Sequence, residues 1–83
     1  MRVYRIYDGE IEQIQQKPTS DSAAVIVDES KKKLWVWKGV RSSPHSRYRA
    51  SAYATKLKTQ LNLVGAKTVI VEEGHEPADF PLR

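Results

Sequence analysis

Two apolar runs without alternation, residues 23–27 (AAVIV) and 34–37 (LWVW), meet across the short charged turn DESKKK. Unbroken apolar runs of this length read as strands buried on both faces. The turn between them is too short for anything but a hairpin connection. A hairpin buried on both faces needs cover on each side, so the rest of the chain must supply one layer above and one below. Upstream, residues 2–7 alternate Val3, Arg5 and Tyr7 against Tyr4 and Ile6, Asp8-Gly9 signals a tight turn, and residues 10–15 alternate again around Ile11 and Ile14. That is an edge hairpin with one wet side, joined to the buried pair by the loop-rich QKPTSDS of residues 16–22.

After Gly39 the period changes. Ser42 or Ser43 can cap a helix with Pro44 in its first turn. Ala50, Ala54, Leu57, Leu61 and Val64 then recur at spacings of four and three, an inward stripe that predicts a helix over about 45–64 with Gly65 as its C-cap. Residues 67–72 (KTVIVE) read as a further strand, which after so long a helix can return parallel to the strand before it. The tail, EGHEPADFPLR, is broken by Gly74, Pro77 and Pro81 and leaves room for a short helix near 77–81, with Phe80 as its one large apolar anchor. The expectation is an α+β sandwich of one domain, residues 1–83: a five-stranded mixed sheet between one long helix and one short C-terminal helix.

Composition narrows the function classes. A chain of 83 residues buries only roughly 60–65% of its unfolded surface, and without cysteine it has neither a disulfide nor a thiolate metal site to reinforce a small core. No secretory signal or membrane-length apolar run is present, so a cytoplasmic location is expected. The net charge of +4 invites an acidic partner: a protein surface, an anionic lipid or a nucleic acid. Nucleic-acid domains interleave exposed aromatics with their basic residues, and that interleaving is missing here.

The pattern V-I-V-D, turn, K-L-W-V-W-K-G, a Ser-containing loop into a long helix, then V-I-V-E-E-G-H-E-P-A-D-F resembles a gelsolin-like domain, the repeat of the gelsolin, villin and severin proteins. The most specific pieces are residues 25–39 and the E-G-x-E-P-x-x-F ending at 73–80. The resemblance implies the sandwich already required. It also implies a non-enzymatic module that binds actin or an actin-like protein, as monomer or filament, through its long helix. A lone domain would bind, sequester, cap or modulate rather than sever. Calcium-binding members enter the buried strand with an aspartate and carry a glutamate in the first turn of the helix; here those positions fall on Ala23 and Ser46, beside Arg47 and Arg49. No calcium control through that site and no cofactor are expected, and Asp21 and Asp28 are the remaining carboxylate candidates for a metal. Two further classes stay open: a gelsolin-fold scaffold with a non-actin partner, as in vesicle coat proteins, and a phosphoinositide or nucleic-acid binder using the basic surface.

Candidate chemistry elsewhere is sparse. His45 and His75 have no neighbouring nucleophile or second ligand at metal spacing and read as surface residues. Trp35 and Trp37 project to one face and read as core. Lys31, Lys32 and Lys33, and the acidic residues Glu72, Glu73, Glu76 and Asp79, read as solvated charge. The partner surface follows from the helical wheel: with the stripe turned inward, Tyr48, Ala52, Thr55, Thr59 and Leu63 face outward, with Arg49 and Lys56 on one flank and Arg47 and Lys58 on the other. A low-charge strip with a basic rim is built like an interface.

Overall fold

The computed structural model describes residues 1–82, in the order β1 (Arg2–Tyr7), β2 (Glu10–Ile14), β3 (Ala23–Asp28), β4 (Lys33–Lys38), α1 (Pro44–Gln60) and β5 (Lys67–Glu72). They form one sheet of strand order β2-β1-β3-β4-β5, antiparallel throughout except for the parallel β4–β5 pair that α1 connects. The β1–β2 turn takes Asp8 and Gly9 to φ of 49° and 82°, the left-handed conformations that a two-residue hairpin demands. Residues 29–32 close the β3–β4 hairpin, where Asp28 accepts from the Ser30 hydroxyl (2.8 Å) and the Lys31 N–H (3.3 Å).

β3 is central and buried from Ala23 to Val27, and its alternate side chains feed two separate cores. On one face Tyr4, Ile6, Val25, Val27, Leu34 and Val36 pack against Ala50, Ala54 and Leu57 of α1. The small residues Ser46, Ala50 and Ala54 on the buried side of α1 let the helix lie close over β1, β3 and β4. On the other face Val3, Ala24, Ile26, Trp35, Trp37 and Val71 are capped by Phe80, whose ring meets Trp35 edge-on at 5.4 Å between centroids. Both tryptophans are core, as their alternation implies. Gly39, where β4 gives way to the loop before α1, lies so close to the carbonyls of Ser20 and Ser22 that a Cβ would collide with backbone.

Three expectations need correction. The second layer is present, but no short helix forms over 77–81. The tail runs back along β4 as turns, with Phe80 N–H donating to Pro77 O (3.0 Å). Pro81 has no N–H to donate to the Pro77 carbonyl, so no four-residue helical bond can close there, and side-chain contacts hold the segment instead. The helix stops at Gln60, not near 64: Leu63 N–H donates to Lys58 O (2.7 Å) and Asn62 N–H to Thr59 O (3.2 Å). With Asn62 at φ 56°, this is a Schellman ending on asparagine in place of Gly65. Leu61 N–H still donates to Leu57 O (2.8 Å) and its side chain packs on the helix-side core, but the chain leaves the helical phase before Val64, the last position of the stripe. Leu63, read as outward, packs on the helix-side core, while Val64, read as inward, is 73% exposed.

Candidate functional site

Ser43 starts α1: its hydroxyl accepts the Ser46 N–H (3.0 Å), and Pro44 occupies the first turn without losing a ladder bond. From there the face opposite the buried stripe carries Tyr48, Ala52, Thr55 and Thr59, all exposed, with Tyr48 at 74%. Thr55 donates its hydroxyl back to Ser51 O (3.4 Å), which turns its polar atom onto its own helix. The strip is neutral, and α1 contains no carboxylate at all, only Arg47, Arg49, Lys56 and Lys58 as charged residues.

The two basic flanks differ. Toward β2, Arg49 and Lys56 join Tyr48, Ala52, Tyr53 and Ile11 around an open groove of about 280 Å³. Tyr53 anchors it by packing edge-on against Tyr4 at 5.5 Å, and burial followed by the nearby Tyr4 raises its phenol pKa above the ordinary value. The Nε of Arg49 is sealed from solvent without a hydrogen-bond acceptor among the described residues. Tyr53 and Ile11 were not singled out by the wheel: Ile11 reaches the groove only because β2 pairs with β1, a long-range contact. On the opposite flank Arg47 is committed to the scaffold. Its Nε donates to Ser42 Oγ (2.9 Å), its Nη2 to Gly39 O (3.1 Å), and Glu72 lies 3.7 Å away. Lys58 is half-buried on the same helix.

The positions corresponding to the calcium carboxylates are both buried. Ala23 is core; Ser46 receives the Ser43 hydroxyl (3.1 Å) and the Asp8 N–H (3.3 Å). Asp21 opens onto a polar depression of about 310 Å³ with Tyr7, Asp8, Arg41, Ser43 and Ser46. Its pKa is lowered first by the Thr19 hydroxyl that it accepts, with smaller help from Arg5 and Arg41. Asp28 sits at the far end of β3 in the hairpin turn, where the Ser30 hydroxyl lowers its pKa. The two metal candidates thus never share a site, and among the described residues no group of three or more histidine, aspartate or glutamate side chains is arranged to hold a metal ion.

Of the four acidic residues read as solvated charge, Glu72 and Asp79 are exposed, but Glu73, Glu76 and Asp79 each accept specific hydrogen bonds. Glu73 accepts from Ser20 Oγ (2.6 Å) and Val40 N–H (2.8 Å), Glu76 from Trp37 Nε1 (3.0 Å) and Gly74 N–H (2.9 Å), and Asp79 from Lys33 Nζ (2.9 Å). These contacts hold all three carboxyls below their usual pKa, led by Ser20, Trp37 and Lys33 respectively. Lys33 accordingly leaves the solvated group and lies 5.2 Å over the Trp35 ring. His45 and His75 are exposed. Among the described residues no helix is long and apolar enough to cross a membrane.

The sequence matches no family model and no curated protein. Among solved structures, the chain is similar to the ProGel of Thorarchaeota in complex with rabbit actin: TM-score 0.81 at 20% identity, over 93% of this chain and 90% of that one. It is also similar to the Thorarchaeota 2DGel3 in complex with rabbit actin: TM-score 0.81 at 20% identity, over 95% of this chain and 40% of that one. A mixed sheet in the order β2-β1-β3-β4-β5, a long helix over one face and a match of this extent to those two structures make this chain a gelsolin-like fold.

Proposed function

We propose that this chain is an actin-binding module, without enzymatic activity, that engages actin or an actin-like protein through the exposed face of α1. The observation that carries the proposal is the neutral strip Tyr48–Ala52–Thr55–Thr59 on a helix with no carboxylate, rimmed by Arg49 and Lys56. A helix facing only water carries charge at the centre of its outer face; a low-charge centre with a cationic rim suits an apolar contact bordered by acidic groups. The similar ProGel and 2DGel3 structures are actin complexes, which supports actin as the partner class. Arg49 and Lys56 act as the rim cations. Arg47 holds the helix start in place and reaches the partner less directly, and Leu63 contributes to the core under the helix end.

Binding does not depend on calcium in this reading, because Ala23 and Ser46 offer no carboxylate and Arg41 supplies positive charge in the depression that Asp21 borders. A titration of fluorescently labelled actin monomers with the protein, in calcium and in chelator, tests it. Saturable binding of equal affinity in both buffers is expected. No binding at tens of micromolar, or binding only in calcium, overturns it.

A further inference from the structure

The face of the sheet opposite α1 is apolar and centred on Trp35 and Trp37, and the chain's own tail, residues 74–82, lies over it. Glu73 N–H donates to Lys38 O (2.9 Å), and past it the tail's backbone closes only turns, His75 N–H to Glu72 O (3.0 Å) and Phe80 N–H to Pro77 O (3.0 Å). Side chains carry the docking. Trp37 Nε1 donates to Glu76 (3.0 Å), Lys33 Nζ donates to Asp79 (2.9 Å), and the Phe80 ring meets Trp35 edge-on. A groove holds a peptide in this way, by a ring and a few polar anchors at fixed spacing.

The tail's fit is incomplete at one point. Trp35 is 1% exposed, and its Nε1 is sealed from solvent with no acceptor among the described residues. A donor buried unpaired gives up its hydrogen bond to water and receives nothing in return. The tail therefore satisfies the indole of Trp37 and strands that of Trp35. A segment that keeps the tail's anchors and adds an acceptor for Trp35 binds this face better than the tail does.

We propose that the tail-side face is a second protein-docking groove, held shut in cis by residues 74–82 and opened when a partner segment of the same acidic-aromatic pattern takes the tail's place. The pattern is read from Glu76 to Phe80: a glutamate, two spacer residues, an aspartate and then an aromatic ring. Trp37 Nε1 and Lys33 take the partner's two carboxylates, Trp35 takes the ring, and a carbonyl or amide oxygen of the partner supplies the acceptor that Trp35 Nε1 lacks. Charge complementarity favours an acidic segment, because Lys33 stands 5.2 Å over the Trp35 ring with Lys31 close by in sequence. Tethering gives the cis tail an effective concentration on the order of millimolar, so it masks the groove until a better-fitting segment arrives. The groove and α1 occupy opposite sides of the sheet, so the proposal does not rest on the actin reading and both surfaces can be filled at once.

The test is an NMR titration of the intact, nitrogen-15-labelled chain with a synthetic peptide of the tail's own sequence, EGHEPADFPL, read at the two indole N–H signals. Parent, Phe80→Ala and Glu76→Ala are compared, since each variant weakens its own tail. Both variants are expected to bind the peptide with a Kd of about 1 mM or below, and the Trp37 signal of Glu76→Ala returns to its position in the parent. In the parent the groove is free in about a tenth of the molecules or fewer, so binding is at least about 10-fold weaker. A control peptide carrying Glu76→Ala and Phe80→Ala leaves the signals unmoved. Peptides carrying Pro77→Asn, Ala78→Asn, Pro81→Asn or Leu82→Asn place an acceptor around the ring in turn, and at least one binds about 10-fold tighter than the tail sequence and moves the Trp35 signal. No response of either variant at about 5 mM peptide, equal binding of the control peptide, or no asparagine peptide tighter than the tail sequence overturns the proposal. A parent that dimerises in sedimentation velocity at about 1 mM also overturns it, by assigning the groove to a second copy's tail. If Phe80→Ala fails to fold, Glu76→Ala decides alone.

Discussion

Phe80 is 4% exposed and covers the tail-side core from a segment with no secondary structure of its own. Replacing it with alanine removes the ring that lies edge-on against Trp35 at 5.4 Å. Transfer of a buried phenylalanine is worth about 1.5–3 kcal/mol, the aromatic pair adds about 0.5–1.5 kcal/mol, and the cavity term brings Phe→Ala changes to about 3–5 kcal/mol. Against the roughly 0.05–0.15 kcal/mol per residue typical of globular domains, that loss is a large share of what so short a chain has. The ceiling is set by the tail itself. If the weakened tail lifts off, the loss cannot exceed its docking energy, and the native state then exposes both tryptophans. Urea unfolding followed by tryptophan fluorescence separates the two cases, because a lifted tail also lowers the m-value. A loss below about 1 kcal/mol with an unchanged m-value would show that Phe80 does not seal this core.

Millimolar calcium is expected to raise the melting temperature by no more than about 1 °C, since tight binding to the native state would stabilise it by several kcal/mol; a larger rise in calorimetry would redirect attention to Asp21 and its depression. Asn62→Ala should cost about 1 kcal/mol because alanine resists the left-handed conformation at the helix end, while Asn62→Gly should be neutral or mildly stabilising; equal effects in thermal melts would remove the Schellman ending from the account. Glu73, Glu76 and Asp79 have pKa values below their ordinary ones. Their contribution is therefore complete above the unfolded values of about 4 and is lost as pH falls through the lower folded values. Stability should drop below about pH 4, tryptophan fluorescence should report it, and Glu76→Gln should flatten that drop; an unaltered profile in Glu76→Gln would exclude the Trp37–Glu76 contact as a contributor.

Strands and turns were legible because they depend on neighbours in sequence. The AAVIV and LWVW runs, the Asp8-Gly9 turn and the Ser43-Pro44 helix start each carry their own local signal, and each appears where it was read. The errors lie where a tertiary contact outranks a local preference. Asn62 ended α1 although a glycine three residues later gave the stronger stop signal, and this one early turn exchanged the environments of Leu63 and Val64. Nothing in EGHEPADF announces that Glu76 will reach Trp37 or Asp79 will reach Lys33. Those partners are brought together only when the tail folds back along β4. The outward strip of α1 was readable as far as Thr59 from the wheel alone. Its groove was not, because Ile11 arrives through the β1–β2 pairing.

The central claim is that the outer face of α1 is the partner surface. Ala52→Glu combined with Thr55→Glu places two carboxylates in the middle of the neutral strip, at positions exposed to solvent, where stability should shift by only about 0.5–1 kcal/mol. Leu57→Ala, on the buried side of the same helix, should cost about 2–5 kcal/mol and serves to show that the two faces differ. The decisive measurement is binding of the parent and the double variant to labelled actin, with circular dichroism melts on both. The account predicts saturable binding by the parent and its loss in a double variant that melts cooperatively near the parent's temperature. A double variant that binds as well as the parent, or that unfolds, contradicts it.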